Sequence, residues 1–205
     1  MGDGKHSTNY IKEKWEKELE IEITEEDWIS MWRTHHSSTN SRVWREFAWK
    51  NQSRYFITPK IMSRQIKKQM GCWRECGEVN ADHSHIFWKC NKIQKYWEMV
   101  KDRLQQILGY EVLFSSKVLY LGDLEGGNVQ DEDRYLVQIL LVTGKKAITR
   151  MWGQVEVPEY EQWTAIVEEI HVMERLTHKL RLKEKLMDRR WGKWLRYRDS
   201  NGNMD

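Results

Sequence analysis

Proline is nearly missing from this chain: two residues in 205, Pro59 and Pro158, each placed where a helix can begin. Cysteine is almost as scarce. There are three, an odd number, all between positions 72 and 90. That count argues against a disulfide framework. No apolar run approaches the ~20 residues of a membrane-spanning helix. The opening stretch, MGDGKHSTNY, lacks the apolar core of a signal peptide. The expectation is a nuclear or cytoplasmic protein, neither secreted nor membrane-bound. A Gly-rich strand-turn-helix fingerprint and a GxxxxGK[ST] loop are both absent, so a resident nucleotide cofactor and a small-molecule substrate are not expected. What the chain has in excess is tryptophan, 12 residues. Each is large and amphipathic, suited to a core, an interface or a stacking surface.

Apolar residues recur at three and four, so the fold class is all-α: helical, bundle-like segments flanking a small Cys/His loop. Ile11, Trp15 and Leu19 mark one helix face. Thr24 before Glu25, Glu26 and Asp27 reads as a cap opening the next helix. Ser41 restarts a helix with Trp44, Phe47 and Ala48 inward, and Thr58-Pro59 starts another. Ile93 to Leu108 is the clearest amphipathic stretch, stopped by Gly109. Residues 110–130 read as a loop, with Val118–Leu121 either packed coil or a lone strand. Asp131 is expected to cap a helix carrying Tyr135, Leu136, Ile139, Leu140 and Ala147. A last long helix opens at Val157-Pro158. Its inward face is Trp163, Ile166, Val167, Ile170, Met173, Leu176 and Leu180, and the basic residues Arg175 to Lys185 extend it. Three segments follow: 1–70 helical, 71–91 around the cysteines, and 92–205 helical with a basic, Trp-rich tail.

The global charge of +3 hides blocks of opposite sign. Residues 11–27 hold three Lys against seven Glu and one Asp, a net of −5. Residues 42–74 hold nine Lys/Arg against Glu46 alone, a net of +8. Residues 175–198 hold ten against Glu184 and Asp188, again +8. Two basic blocks in a nearly neutral chain suit a polyanion.

The cysteines fall in GCWRECGEVNADHSHIFWKC, as Cys72-x3-Cys76-x8-His85-x4-Cys90. Three thiolates and one imidazole are a common tetrahedral zinc set, with no position left for a catalytic water. One structural zinc is therefore expected, with His83 as a competing ligand for His85. The alternative is a group of buried free thiols. Catalysis has little support. Ser84 lies between two histidines, but proximity in sequence is not a triad.

These residues resemble the far C-terminal region of LINE-type, non-LTR retrotransposon reverse transcriptases. The likeness is carried by RYFITPKI (Arg54–Ile61), CWREC-G, H-x-x-W-x-C (His85, Trp88, Cys90) and KIQKYWEMV (Lys92–Val100). It continues through KKAITRMWGQVEVPEYEQW (Lys145–Trp163), MERLT (Met173–Thr177) and WGKW (Trp191–Trp194), so it runs from about Trp15 to Trp194 in the family's order. The resemblance implies a helical segment following the polymerase thumb, then a knuckle-bearing segment that helps hold template RNA. By motif match the family's metal ligands fall on Cys72, Cys76, His85 and Cys90. The polymerase's Asp-Asp pair and the endonuclease are absent from this sequence. The chain is then a fragment, a decayed copy or a host-captured gene, with the parent reverse transcriptase or a host protein as further partners.

The resulting expectation is a non-catalytic module that binds RNA or single-stranded DNA through cations beside aromatic platforms. The upstream candidates are Arg42, Arg45, Arg54, Lys60, Arg64, Lys67 and Lys68. Beside the cysteines stand Trp73, Arg74, Trp88 and Lys89. In the tail are Arg189, Arg190, Trp191, Lys193, Trp194, Arg196 and Arg198. Core packing competes with stacking for each tryptophan, and a solvated helix face competes for the cations. A protein-interaction or scaffold role is the alternative function.

Overall fold

The computed structural model describes residues 6–37 and 39–201, and every regular element in them is helical. The helices are α1 (His6–Leu19), α2 (Glu25–Ser37), α3 (Arg42–Gln52), α4 (Pro59–Ile66), α5 (Asn91–Leu108), α6 (Arg134–Arg150), α7 (Tyr160–Leu180) and α8 (Glu184–Asn201). Two short π-helical turns, His85–Lys89 and Ser116–Tyr120, complete the architecture. The all-α fold class holds, with no strand among the described residues. Three of the expected local signals act where the sequence places them. The Thr24 hydroxyl accepts from the Asp27 N–H at 3.1 Å, Pro59 is the first residue of α4, and Gly109 closes α5 at φ 82°.

At the centre lies α6, buried without interruption from Leu136 to Lys145. The polar residues Gln138, Thr143 and Lys145 are enclosed with its apolar ones, so this helix has no solvent face over that stretch. It packs against α3, α5, α7, α8 and the Ser116–Tyr120 turn. The buried apolar residues form one cluster running from Trp15 to Tyr197, with Cys72 and Cys90 in it, so all three segments of the chain contribute to one core. Seven of the twelve tryptophans are buried in that core, and four of them, Trp15, Trp97, Trp163 and Trp194, pair the indole N–H with an acceptor. The indole N–H of Trp15 donates to the Gln52 carbonyl at 3.0 Å, that of Trp97 to the Phe87 carbonyl at 2.6 Å, and that of Trp163 to Thr143 Oγ1 at 3.0 Å.

Four expectations need correction. Val118–Leu121 is no strand; these residues are buried and complete a π-helical turn capped by the Ser115 hydroxyl. A continuous apolar run does not distinguish the two by period. The helix expected at Asp131 begins at Arg134, after a turn. The inward face of α7 ends at Ile170: Met173, Leu176 and Leu180 are exposed, while His171, Glu174 and His178 are buried instead. Glu174 tolerates burial because donors surround it. Thr39 Oγ1 and the Asn40 N–H both donate to its Oε1 at 2.7 Å, and the Tyr135 hydroxyl donates to Oε2. Burial pushes its carboxyl up, yet these hydrogen bonds hold it below the ordinary range. Finally, α7 does not run on through Lys185. It breaks at Arg181–Lys183, and the basic tail forms a separate helix, α8.

Candidate metal centre and basic groove

The four residues Cys72, Cys76, His85 and Cys90 converge, each offering one ligand atom, all within 4.8 Å of one another. The loop that delivers the first two is tight. The Cys72 N–H donates to the Glu78 carbonyl at 2.7 Å, and the Glu75 N–H to the Cys72 carbonyl at 3.0 Å. Such a reversal needs left-handed backbone, found at Glu75 (φ 53°) and Gly77 (φ 91°). The second pair is carried by a helical turn. Asp82 caps it, its Oδ1 accepting from the His85 N–H at 3.1 Å and from the Ser84 hydroxyl at 2.8 Å. The π-type bond from the Cys90 N–H to the His85 carbonyl, 3.0 Å, fixes one ligand to the other. Cys90 is also the N-cap of α5.

The donor chemistry fits a metal. Cys76 Sγ lies 3.2 Å from His85 Nε2, close to the ~3.3–3.8 Å edges of a tetrahedron built from ordinary zinc–sulfur and zinc–nitrogen lengths. The Cys90 thiol is pulled down to about 3, first by its hydrogen bond with Cys72 and then by His85 and the backbone N–H groups of Ile93 and Lys92, against the opposing effect of burial. Its partner Cys72 moves up, through that same hydrogen bond and through burial. A buried sulfur held as thiolate is what a metal ligand requires. The arrangement is a Cys3His group at metal-binding distance, compatible with one structural metal. The competing His83 is not in it. It is buried 6.2 Å edge-on from Trp15.

The nucleic-acid candidates separate into two groups. Several are committed within the protein. Arg54 stacks over Trp15 at 4.3 Å and pairs with Glu18, and Arg74 is buried, donating to the Ile86 carbonyl at 2.8 Å. Lys60 pairs with Asp82, Lys89 with Glu20, Lys193 with Asp133 and Arg198 with Asp199. Arg190 lies over the Tyr135 ring at 3.7 Å. Trp191 and Trp194, expected as stacking residues, are 0% and 1% exposed and offer no ring face to a base. They dock α8 onto α7, the Trp194 indole donating to Glu168 at 2.8 Å. Trp73 and Trp88 are half-buried, packed on Trp152 at 4.8 Å and on Phe114 at 5.3 Å. By contrast Arg42, Arg64, Lys67, Lys68, Arg189 and Arg196 are exposed, and Arg45 is half-buried.

The sequence reading missed an open groove of about 760 Å³ in which Arg42 and Arg45 meet Trp32 and Trp49. Trp49, half-exposed at 51%, was legible only as a tryptophan off the Trp44–Phe47–Ala48 face of α3. Trp32 reads as core from its spacing. No helix of the described residues is long and apolar enough to cross a membrane. The chain matches no protein-family model and no solved structure.

Proposed function

We propose that the chain is a non-catalytic module that holds RNA or single-stranded DNA and is braced by one structural zinc. The observation that carries the nucleic-acid reading is the groove in which Trp32 and Trp49 lie beside Arg42 and Arg45. Single strands are held by that combination: cations for phosphates and ring faces for bases, with little sequence preference. The soft Cys3His set supports zinc over harder ions, and four protein ligands leave no open position for chemistry. The LINE-type resemblance of the ordered motifs supports the same function and, with it, an origin in the C-terminal part of such a reverse transcriptase.

Binding of a fluorescent single-stranded RNA, measured across a salt series, tests the reading. The logarithm of affinity should fall linearly with the logarithm of salt, and an Arg42→Gln/Arg45→Gln variant should flatten the slope by ~1.4, or ~0.7 per contact. Trp49→Ala should weaken binding by roughly 5- to 100-fold at an unchanged melting temperature. No binding at low salt, or a slope unaltered by the double substitution, defeats it. A protein-docking role is the second reading. It is favoured by Val172, Met173, Leu176 and Leu180, all exposed on the outer side of α7.

A further inference from the structure

A second, smaller pocket of about 380 Å³ lies between α1 and the amino end of α4, away from the tryptophan groove in its lining. Its cations are Lys14 and Lys17 of α1, Lys60 and Arg64 of α4, and Arg54 of the connecting turn. Against these five stand only Glu18 and Asp82, a net of +3. Besides Glu18, three lining side chains carry buried polar atoms with no protein partner: Thr58 Oγ1, His83 Nε2 and Arg54 Nη1. Thr58 and His83 are 0% and 3% exposed. Buried polar groups in proteins are overwhelmingly paired, so three in one open pocket ask for a ligand. Thr58 is also the N-cap of α4, yet its hydroxyl makes no cap bond. At that end Pro59 has no N–H and the Lys60 N–H donates to the Ala81 carbonyl at 3.1 Å, so what the start of α4 offers the pocket is the Thr58 hydroxyl and not a row of free N–H groups.

We infer that this pocket binds a terminal phosphate group, a phosphomonoester dianion, at the amino end of α4. The net charge favours two negative charges over the single charge of a diester. Donors on α1, α4 and the Arg54 turn suit a group with three free oxygens and one ester arm. Glu18 Oε2, also buried and unpartnered, is an acceptor for a hydroxyl of the attached sugar. The phosphate has two possible sources, the end of a nucleic-acid strand or a free nucleotide. The inference does not rest on the tryptophan groove, since a free nucleotide needs no strand.

The test uses the full chain and three probes: 5′-phosphorylated RNA, the same RNA with a 5′-hydroxyl, and adenosine 5′-monophosphate. Lys17→Gln/Arg64→Gln removes two exposed cations of the pocket, and Thr58→Val removes the buried hydroxyl. Melting temperature reports whether each variant folds. The expected result is about tenfold tighter binding of the phosphorylated strand, with that advantage, read as the ratio of the two strands' affinities for the same protein, lost in Lys17→Gln/Arg64→Gln. If the two strands bind alike but the nucleotide binds and the variants weaken it about tenfold, the site stands with the free nucleotide as its ligand. If no probe shows a phosphate-dependent affinity that the variants reduce, the inference is overturned, even where the hydroxyl strand binds well through the groove.

Discussion

Lys145 shows at the scale of one residue how the fold pushes against its own chemistry. It is 1% exposed in the middle of α6, its ammonium donating to the Tyr120 carbonyl at 2.7 Å. Burial pushes its pKa down to about 7. The unfolded chain keeps the ordinary value of ~10.4, so between these two values it binds more protons than the folded one. Stability from this residue therefore rises as pH goes from 7 towards 10. Lys145→Met should remove the cost and keep the volume. We expect a gain of about 2–3 kcal/mol at pH 7, with thermal melts shifted up by ~4–10 °C, after allowing for the lost hydrogen bond. The gap between variant and parent should close by pH 10. A gap that is constant with pH would mean that the ammonium stays charged and solvated. Such a lysine is invisible in sequence, where it reads as the polar side of an amphipathic helix. Cys72, Cys76, His85 and Cys90 were legible because ligand chemistry allows few residue types, whereas Glu174 was not, because its four donors come from residues 39, 40 and 135.

Among the elements, the helix starts were easier to read than the stops. Thr24, Ser41 and Thr58-Pro59 announce themselves by residue type and Gly109 announces one end, whereas α7 opens at Tyr160 on a Glu159 cap, two residues after Pro158. The break between α7 and α8 does not announce itself. Its backbone is a Schellman turn: the Lys183 N–H donates to the His178 carbonyl at 2.9 Å and the Leu182 N–H to the Lys179 carbonyl at 3.1 Å. The position that glycine usually takes holds Leu182, at φ 53° and 89% exposed. A leucine there gives no stop signal, so the basic run reads as one helix. The same strain makes a prediction. Leu182→Gly should stabilise the chain by up to ~1 kcal/mol, because the left-handed cost disappears while the side chain gives up no contact with the core. Urea titration checks it through a higher midpoint at unchanged slope. A lower midpoint would mean that Leu182 contributes packing that its exposure does not show.

For the whole molecule, the Cys3His group and the core are one object. Cys72 and Cys90 belong to the same buried cluster as Trp15 and Trp191, and Cys90 begins α5. Removing a metal held by the Cys3His group should therefore act far beyond the 72–90 loop. We expect a chelator to lower the single melting transition of the entire chain, not to melt a small part and leave the rest; two separate transitions would show that the segments fold independently. The basic blocks, read from sequence as one polyanion surface, resolve into paired cations, docking tryptophans and exposed cations, of which Arg42 lies in the tryptophan groove and Arg64 in the smaller pocket. That division depends on which carboxylates lie opposite in space, and spacing along the chain does not encode it. The most direct test of the Cys3His centre is X-ray absorption at the zinc edge of the purified chain, with metal content measured on the same sample. The expected result is one zinc per chain with three sulfurs at ~2.3 Å and one nitrogen at ~2.0–2.1 Å. A shell of nitrogen and oxygen alone, or far less than one metal per chain after purification without chelators, would contradict it.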